Sequence, residues 1–211
     1  MSHVHDLLAI ASEALGPEIS CQNFGSEFAL GAELFNLLRQ KNGFYGFEQA
    51  LHVFPSGADT TGTMTLEHWN TQTLWRSAFG DLAEGLLFFA EDALGDQFCL
   101  SKREPFIFRF YSETGELTRL ADSIEDWAGM ILSDYEFETG WPLAHKWQAQ
   151  HGPLPLGQRL QPKISFIYGG AYELDNLWVG DAVKGMLFKA DIAKKVKDLP
   201  EGTQVKLVVQ D

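Results

Sequence analysis

Leu86-Leu87-Phe88-Phe89-Ala90-Glu91-Asp92-Ala93-Leu94-Gly95-Asp96-Gln97-Phe98-Cys99-Leu100 decides how this chain folds. The run Leu86–Phe89 has no polar residue to turn toward water, which suits a strand buried on both faces. Gln97–Leu100 resumes the apolar pattern after a short acidic turn. Further on, Phe106, Phe108 and Phe110 alternate with Ile107, Arg109 and Tyr111. The turn Glu113-Thr114-Gly115-Glu116 then leads to Leu117–Leu120, the signature of a hairpin. These segments predict an α+β fold with a central, mainly antiparallel sheet flanked by helices.

Working outward, Asp122 offers an N-cap with Glu125 three residues on. The apolar residues Ile124, Trp127, Ala128, Ile131 and Leu132 follow at helical spacing, so a helix is expected to lay its Trp127 stripe on the sheet. Upstream, His3–Leu15 and a segment starting at Ser26 read as helices, and Phe44–Leu51 as a short helix over a core edge. A helical segment spans Trp69–Phe79. Its two tryptophans, six residues apart, point to different faces of a straight helix, so Trp69 is a candidate for a contact surface. A helix buried on both sides is the alternative.

Composition shifts after Gly140-Trp141-Pro142. His151–Gly157 reads as an irregular crossover, followed by an extended segment (Ile164–Tyr168), a helix (Val183–Val196) and a terminal strand (Val205–Val209). The expected organisation is an acidic domain over 1–140 and a C-terminal α/β extension over 141–211 lying on the same domain. Lys184, Lys189, Lys194, Lys195 and Lys197 are assigned to solvation of the last helix and to balancing charge within the molecule, not to nucleic-acid binding.

The net charge is −13 over 211 residues. Residues 1–140 hold 7 Lys/Arg and 22 Asp/Glu, a balance of −15, while 141–211 hold 9 and 7, a balance of +2. Such a field repels nucleic acid and anionic membranes and accelerates encounter with a basic partner. The longest apolar run, Leu86–Ala90, is far below the roughly 20 residues of a membrane helix. With no basic flank and apolar run at the N-terminus, a cytoplasmic location is expected. Cys21 and Cys99 read as buried thiols.

No Gly-x-Ser-x-Gly, His-Glu-x-x-His, Cys-x-x-Cys, P-loop or Gly-x-Gly-x-x-Gly pattern occurs. The dense polar constellation is Glu91, Asp92 and Asp96 around Gly95. It lacks the ligand alternation of an EF-hand, so no metal or cofactor is assigned. One reading is a solvated turn in which Gly95 takes a positive φ and the acids cap amides. The others are a face for a cationic partner, with Trp69, Glu113 and Glu116 as further contacts, or a metal-dependent hydrolase built on Glu91/Asp92/Asp96.

Leu87–Phe98, the Glu113–Glu116 turn and Leu120-Ala121-Asp122-Ser123-Ile124-Glu125-Asp126-Trp127 resemble the SUKH superfamily of Smi/Knr-type proteins. The resemblance is best over 85–135 and weaker over 24–80. It implies an α+β fold without catalysis and a cytoplasmic immunity protein that binds a toxin, often a nuclease, or a regulatory adaptor. An acidic chain facing a basic toxin agrees with the charge count.

Overall fold

A computed structural model of the chain describes residues 2–21, 24–58, 62–199 and 203. Six strands form one antiparallel sheet in strictly sequential order: β1 Phe44–Gly46, β2 Leu51–Val53, β3 Leu86–Glu91, β4 Gln97–Ser101, β5 Ile107–Phe110 and β6 Leu117–Ala121. The expected hairpin is β5–β6, with Phe110 opposite Leu117. β3 is buried along its whole length and sends successive phenylalanines to opposite faces. Phe88 meets Trp75 and Phe110 on one side. Phe89 meets Trp127 on the other, where Phe98 joins it.

Helices cover both faces. α1 (His3–Ile10) and α2 (Gly31–Gln40) lie against α5 (Ile124–Ser133), which carries Trp127. The opposite face is covered by α3 (Leu66–Trp69), a π turn (Gln72–Arg76) and α4 (Ser77–Phe79). The remaining helices are α6 (Tyr135–Thr139), α7 (Trp141–His151) and α8 (Ala182–Val196). A two-stranded antiparallel sheet pairs β7 (Gln158–Pro162) with β8 (Leu177–Asp181). α8 packs on α4 and the π turn and adds Ala182, Met186, Ala190 and Ala193 to the main core. A second apolar cluster unites Ala50 and Ala93 with Ala144, Leu154, Leu160 and Leu177.

Several expectations are corrected. α1 stops at Ile10 because the chain turns to cover the sheet edge: Ser12 N–H donates to the Tyr45 carbonyl at 2.8 Å, and Tyr45 N–H donates to the Ser12 hydroxyl at 2.9 Å. Phe44–Leu51 is a pair of strands, not a helix. Phe47, Glu48 and Gln49 all take positive φ, which reverses the chain in a left-handed turn that no right-handed helix can contain. That turn docks on the C-terminal helices, with Phe47 stacked on Tyr135 at 4.7 Å and Glu48 Oε2 2.7 Å from His145 Nδ1.

Ser123, not Asp122, caps α5. Its hydroxyl accepts the Asp126 N–H at 3.0 Å and bonds the Asp126 carboxylate at 2.7 Å. Glu125 instead accepts the first amides of α1, from His3 and Val4. The segment expected to be extended at 164–168 is a 3₁₀ turn, Phe166–Tyr168, and the strand lies earlier, as β7. Cys99 is buried but Cys21 is exposed. The strand expected at Val205–Val209 falls outside the described residues.

Candidate functional site

Trp69 is corrected too: it is 1 % exposed and presents no surface. The segment that carries it is not a straight helix. Asn70 breaks it, donating its side-chain amide to the Leu66 and Phe88 carbonyls and accepting the Phe88 N–H, as a strand residue would. The π turn that follows rotates Trp75 back, so both indoles enter one core with ring centroids 5.3 Å apart. The Trp69 indole N–H donates to Gln97 Oε1 at 2.8 Å.

Gln97 leads to Glu91, the first acid of the turn, which is also buried. Glu91 Oε1 lies 2.9 Å from Arg159 Nη2 of β7 and 3.1 Å from His52 Nδ1 of β2. Burial alone would raise the Glu91 pKa, but the Arg159 charge and the His52 and Gln97 hydrogen bonds outweigh it and hold the carboxyl below its ordinary range. Burial, helped by Arg159 and opposed by the Glu91 hydrogen bond, lowers His52 and keeps it neutral. Glu91 is thus a charge inside the fold, turned away from any partner.

Asp92, one residue on, faces the other way. Its Oδ1 accepts the N–H groups of Leu94 and Asp96, both at 2.9 Å, and Gly95 closes the turn with φ +84°. The capping and the positive φ of Gly95 are as expected, but the turn is not solvated: Asp92 and Gly95 are buried. Asp96 Oδ1 in turn accepts the Ser112 N–H at 2.8 Å and its hydroxyl at 2.7 Å, which ties the β3–β4 turn to the β5–β6 turn. Lys189 of α8 reaches in to donate to the Leu94 carbonyl. It is buried, so it does not solvate the helix; of the two expected roles it serves charge balance, beside Asp92. Arg109 lies over the Phe98 ring and pairs with Glu138 at 2.9 Å.

These groups floor a cleft of about 560 Å³. Glu113 and Glu116 form one wall, Glu136 and Phe137 another, and Phe166 and Tyr172 a third. Four of the six expected contact residues, Asp92, Asp96, Glu113 and Glu116, thus converge, whereas Glu91 and Trp69 belong to the interior. Glu136, Phe137, Lys189 and Tyr172 were not foreseen. Phe137 and Tyr172 are 69 % and 65 % exposed. An aromatic flanked by acids at Glu136-Phe137-Glu138 is the one local signal that could have marked this wall.

Burial, and then the neighbouring Asp96, raise Asp92 from 3.8 to about 7, against the opposing pull of Arg109 and Lys189. The folded state therefore holds this proton more tightly than the unfolded chain. The stability linked to it is complete below about pH 4 and is lost as pH rises through 7. Asp92→Asn keeps an acceptor for both turn amides and removes the buried charge. Urea unfolding should show the variant more stable than the parent by about 1–3 kcal/mol at pH 8 and equal to it at pH 4. A loss at pH 8 would mean that the ionised carboxylate supports the fold through Lys189. Tyr172 is also raised, first by burial and then by Asp96, Glu113 and Asp92, so its phenol stands in the field of the three acids.

Among the described residues no group of three or more His, Cys, Asp or Glu is placed to hold a metal ion, and no helix is long and apolar enough to cross a membrane. No curated protein matches the chain significantly. The fold resembles the crystal structure of Atu4351 from Agrobacterium tumefaciens, with a TM-score of 0.56 at 15 % identity, covering 87 % of this chain and 86 % of that one. That likeness reaches past the central sheet into the C-terminal elements. The SMI1/KNR4 family (SUKH-1) matches residues 26–129, from the turn before α2 into α5, which includes all six strands of the main sheet. That match identifies residues 26–129, which hold the whole six-stranded meander, as a region of the SUKH type.

Proposed function

We propose that this chain works by binding a protein partner of net positive charge, as an immunity protein that neutralises a toxin, and that the acidic cleft is its contact face. One observation carries the reading. Asp92, Asp96, Glu113, Glu116 and Glu136 gather in a single cleft with exposed Phe137 and Tyr172 at its walls. The two cations there already have partners, Arg109 in Glu138 and Lys189 in the Leu94 carbonyl. Exposed aromatics beside acids combine an apolar anchor with charge complementarity, the usual makeup of an energetically dominant contact. A nuclease toxin offers a basic phosphate-binding surface that such a cleft would cover. The family and the acidity of residues 1–140 support the same reading.

A metal-dependent hydrolase draws less support. Glu91 is turned inward to Arg159 and His52, and one oxygen of each aspartate is already committed to the turns.

The test is capture by the immobilised chain, with the captured protein identified and expressed alone and beside it. The expected partner is basic, is released as salt rises from about 50 to 300 mM, and is toxic only when expressed alone. Glu116 and Glu136 are exposed, so Glu116→Lys with Glu136→Lys should weaken capture at least about tenfold while leaving the melting curve in place. Capture indifferent to salt and to both reversals would overturn the reading.

A further inference from the structure

We propose that the cleft between the 91–96 and 113–116 turns binds the guanidinium of an arginine side chain presented by the partner. This rests on the binding role above and names the chemical group recognised. Glu113 is only 7 % exposed. Its Oε2 accepts the Ile167 N–H at 3.3 Å, while Oε1 is buried with no hydrogen-bond partner. A buried carboxylate oxygen left in this state is costly until a donor, best a charged one, meets it. The chain's nearby cations do not serve it, since Arg109 pairs with Glu138 and Lys189 bonds the Leu94 carbonyl.

A second carboxylate stands close by. Asp96 is bonded to Ser112, the residue next to Glu113, so the two acids are held on adjoining turns at the same end of the sheet. A flat aromatic surface completes the site: Phe166 and Tyr172 stack with centroids 3.9 Å apart and planes 5° from parallel, and both line the cleft. Two carboxylates beside an aromatic face suit a planar cation that donates in its plane and stacks through its face. A guanidinium does both; an ammonium is compact, strongly hydrated and has no face to stack.

The test is an amide-resolved NMR titration at low salt with N-acetyl-arginine methylamide, and in parallel with the lysine analogue. The arginine derivative should shift the Ser112, Glu113 and Ile167 amides saturably in the millimolar range, about fivefold or more tighter than the lysine derivative. Glu113→Gln should weaken the arginine response about fivefold or more. Tyr172→Ala changes an exposed ring, which leaves the fold in place, and should weaken it about threefold. An absence of saturable shifts, shifts centred outside the cleft, or equal responses to the two derivatives would overturn the assignment. If the arginine derivative fails while the Glu116/Glu136 reversals still abolish salt-sensitive capture, the guanidinium assignment falls and the acidic binding face stands. If it binds the cleft but no basic partner is captured, the site stands and the immunity reading falls.

Discussion

Arg159→Leu is expected to cost about 3–5 kcal/mol of stability, because it strands the Glu91 carboxylate inside the protein. Both side chains are almost wholly buried, with Arg159 at 1 % and Glu91 at 2 % exposure, so water cannot replace the lost partner. His52 is no substitute, since burial keeps it neutral. Urea unfolding at pH 7.5 measures the loss directly. The double variant Arg159→Leu/Glu91→Leu removes both charges and should recover most of it. The pH dependence distinguishes this account from simple mispacking. In the parent, Glu91 is held below the ordinary carboxylate range, so its contribution is present at neutral pH and is lost as pH falls through the folded-state value. In Arg159→Leu, burial raises Glu91 with only the His52 and Gln97 hydrogen bonds left to oppose it, and the variant's deficit should shrink on acidification. A single variant within about 1 kcal/mol of the parent would show that the pair does not matter to the fold.

Trp127→Ala should be comparably damaging, costing about 3–5 kcal/mol. The indole is wholly buried and meets Phe89 at 5.2 Å and Phe98 at 5.7 Å, both edge-to-face. It joins α5 to the two central strands of the sheet. Its Nε1 has no hydrogen-bond partner, so the loss is one of apolar contact and cavity formation. Trp127→Phe should therefore cost much less, about 1–2 kcal/mol, because a ring is kept and a buried N–H removed. Leu117→Ala, at an exposed position on β6, serves as the control and should stay within about 0.5 kcal/mol. Equal losses for Trp127→Ala and Trp127→Phe would mean that the exact indole outline, and not the buried ring, holds the layer together.

The antiparallel α+β fold was legible because its signals are local. Four apolar residues at Leu86–Phe89, the Glu113–Glu116 turn and the helical spacing from Ile124 each depend on neighbours a few positions away. They placed β3, β5–β6 and α5 correctly, and Gly95 with its two aspartates pointed to amide capping but not to the burial of the turn. The errors fell where long-range contacts override local preference. Phe44–Leu51 is apolar enough for a helix, yet the β2–β3 ladder and the docking of Phe47 on Tyr135 require strands and a left-handed turn. Ser12 leaves its helical pattern to bond a strand 33 residues away.

The sequence alone established that five acids and one tryptophan near the central strands were worth naming, that residues 1–140 carry the negative charge, and that the chain folds as an antiparallel α+β protein. Which of those residues face outward was decided only in three dimensions. Glu91 ends β3 and turns to Arg159 and His52, whereas Asp92 opens the turn and lies at the floor of the cleft. Arg159 and Lys189 arrive from about 70 and 100 residues downstream, one to neutralise Glu91 and the other to stand beside Asp92. No local pattern encodes a cation that far along the chain, and its arrival separates an acid held charged inside the fold from an acid that burial pushes up to about 7.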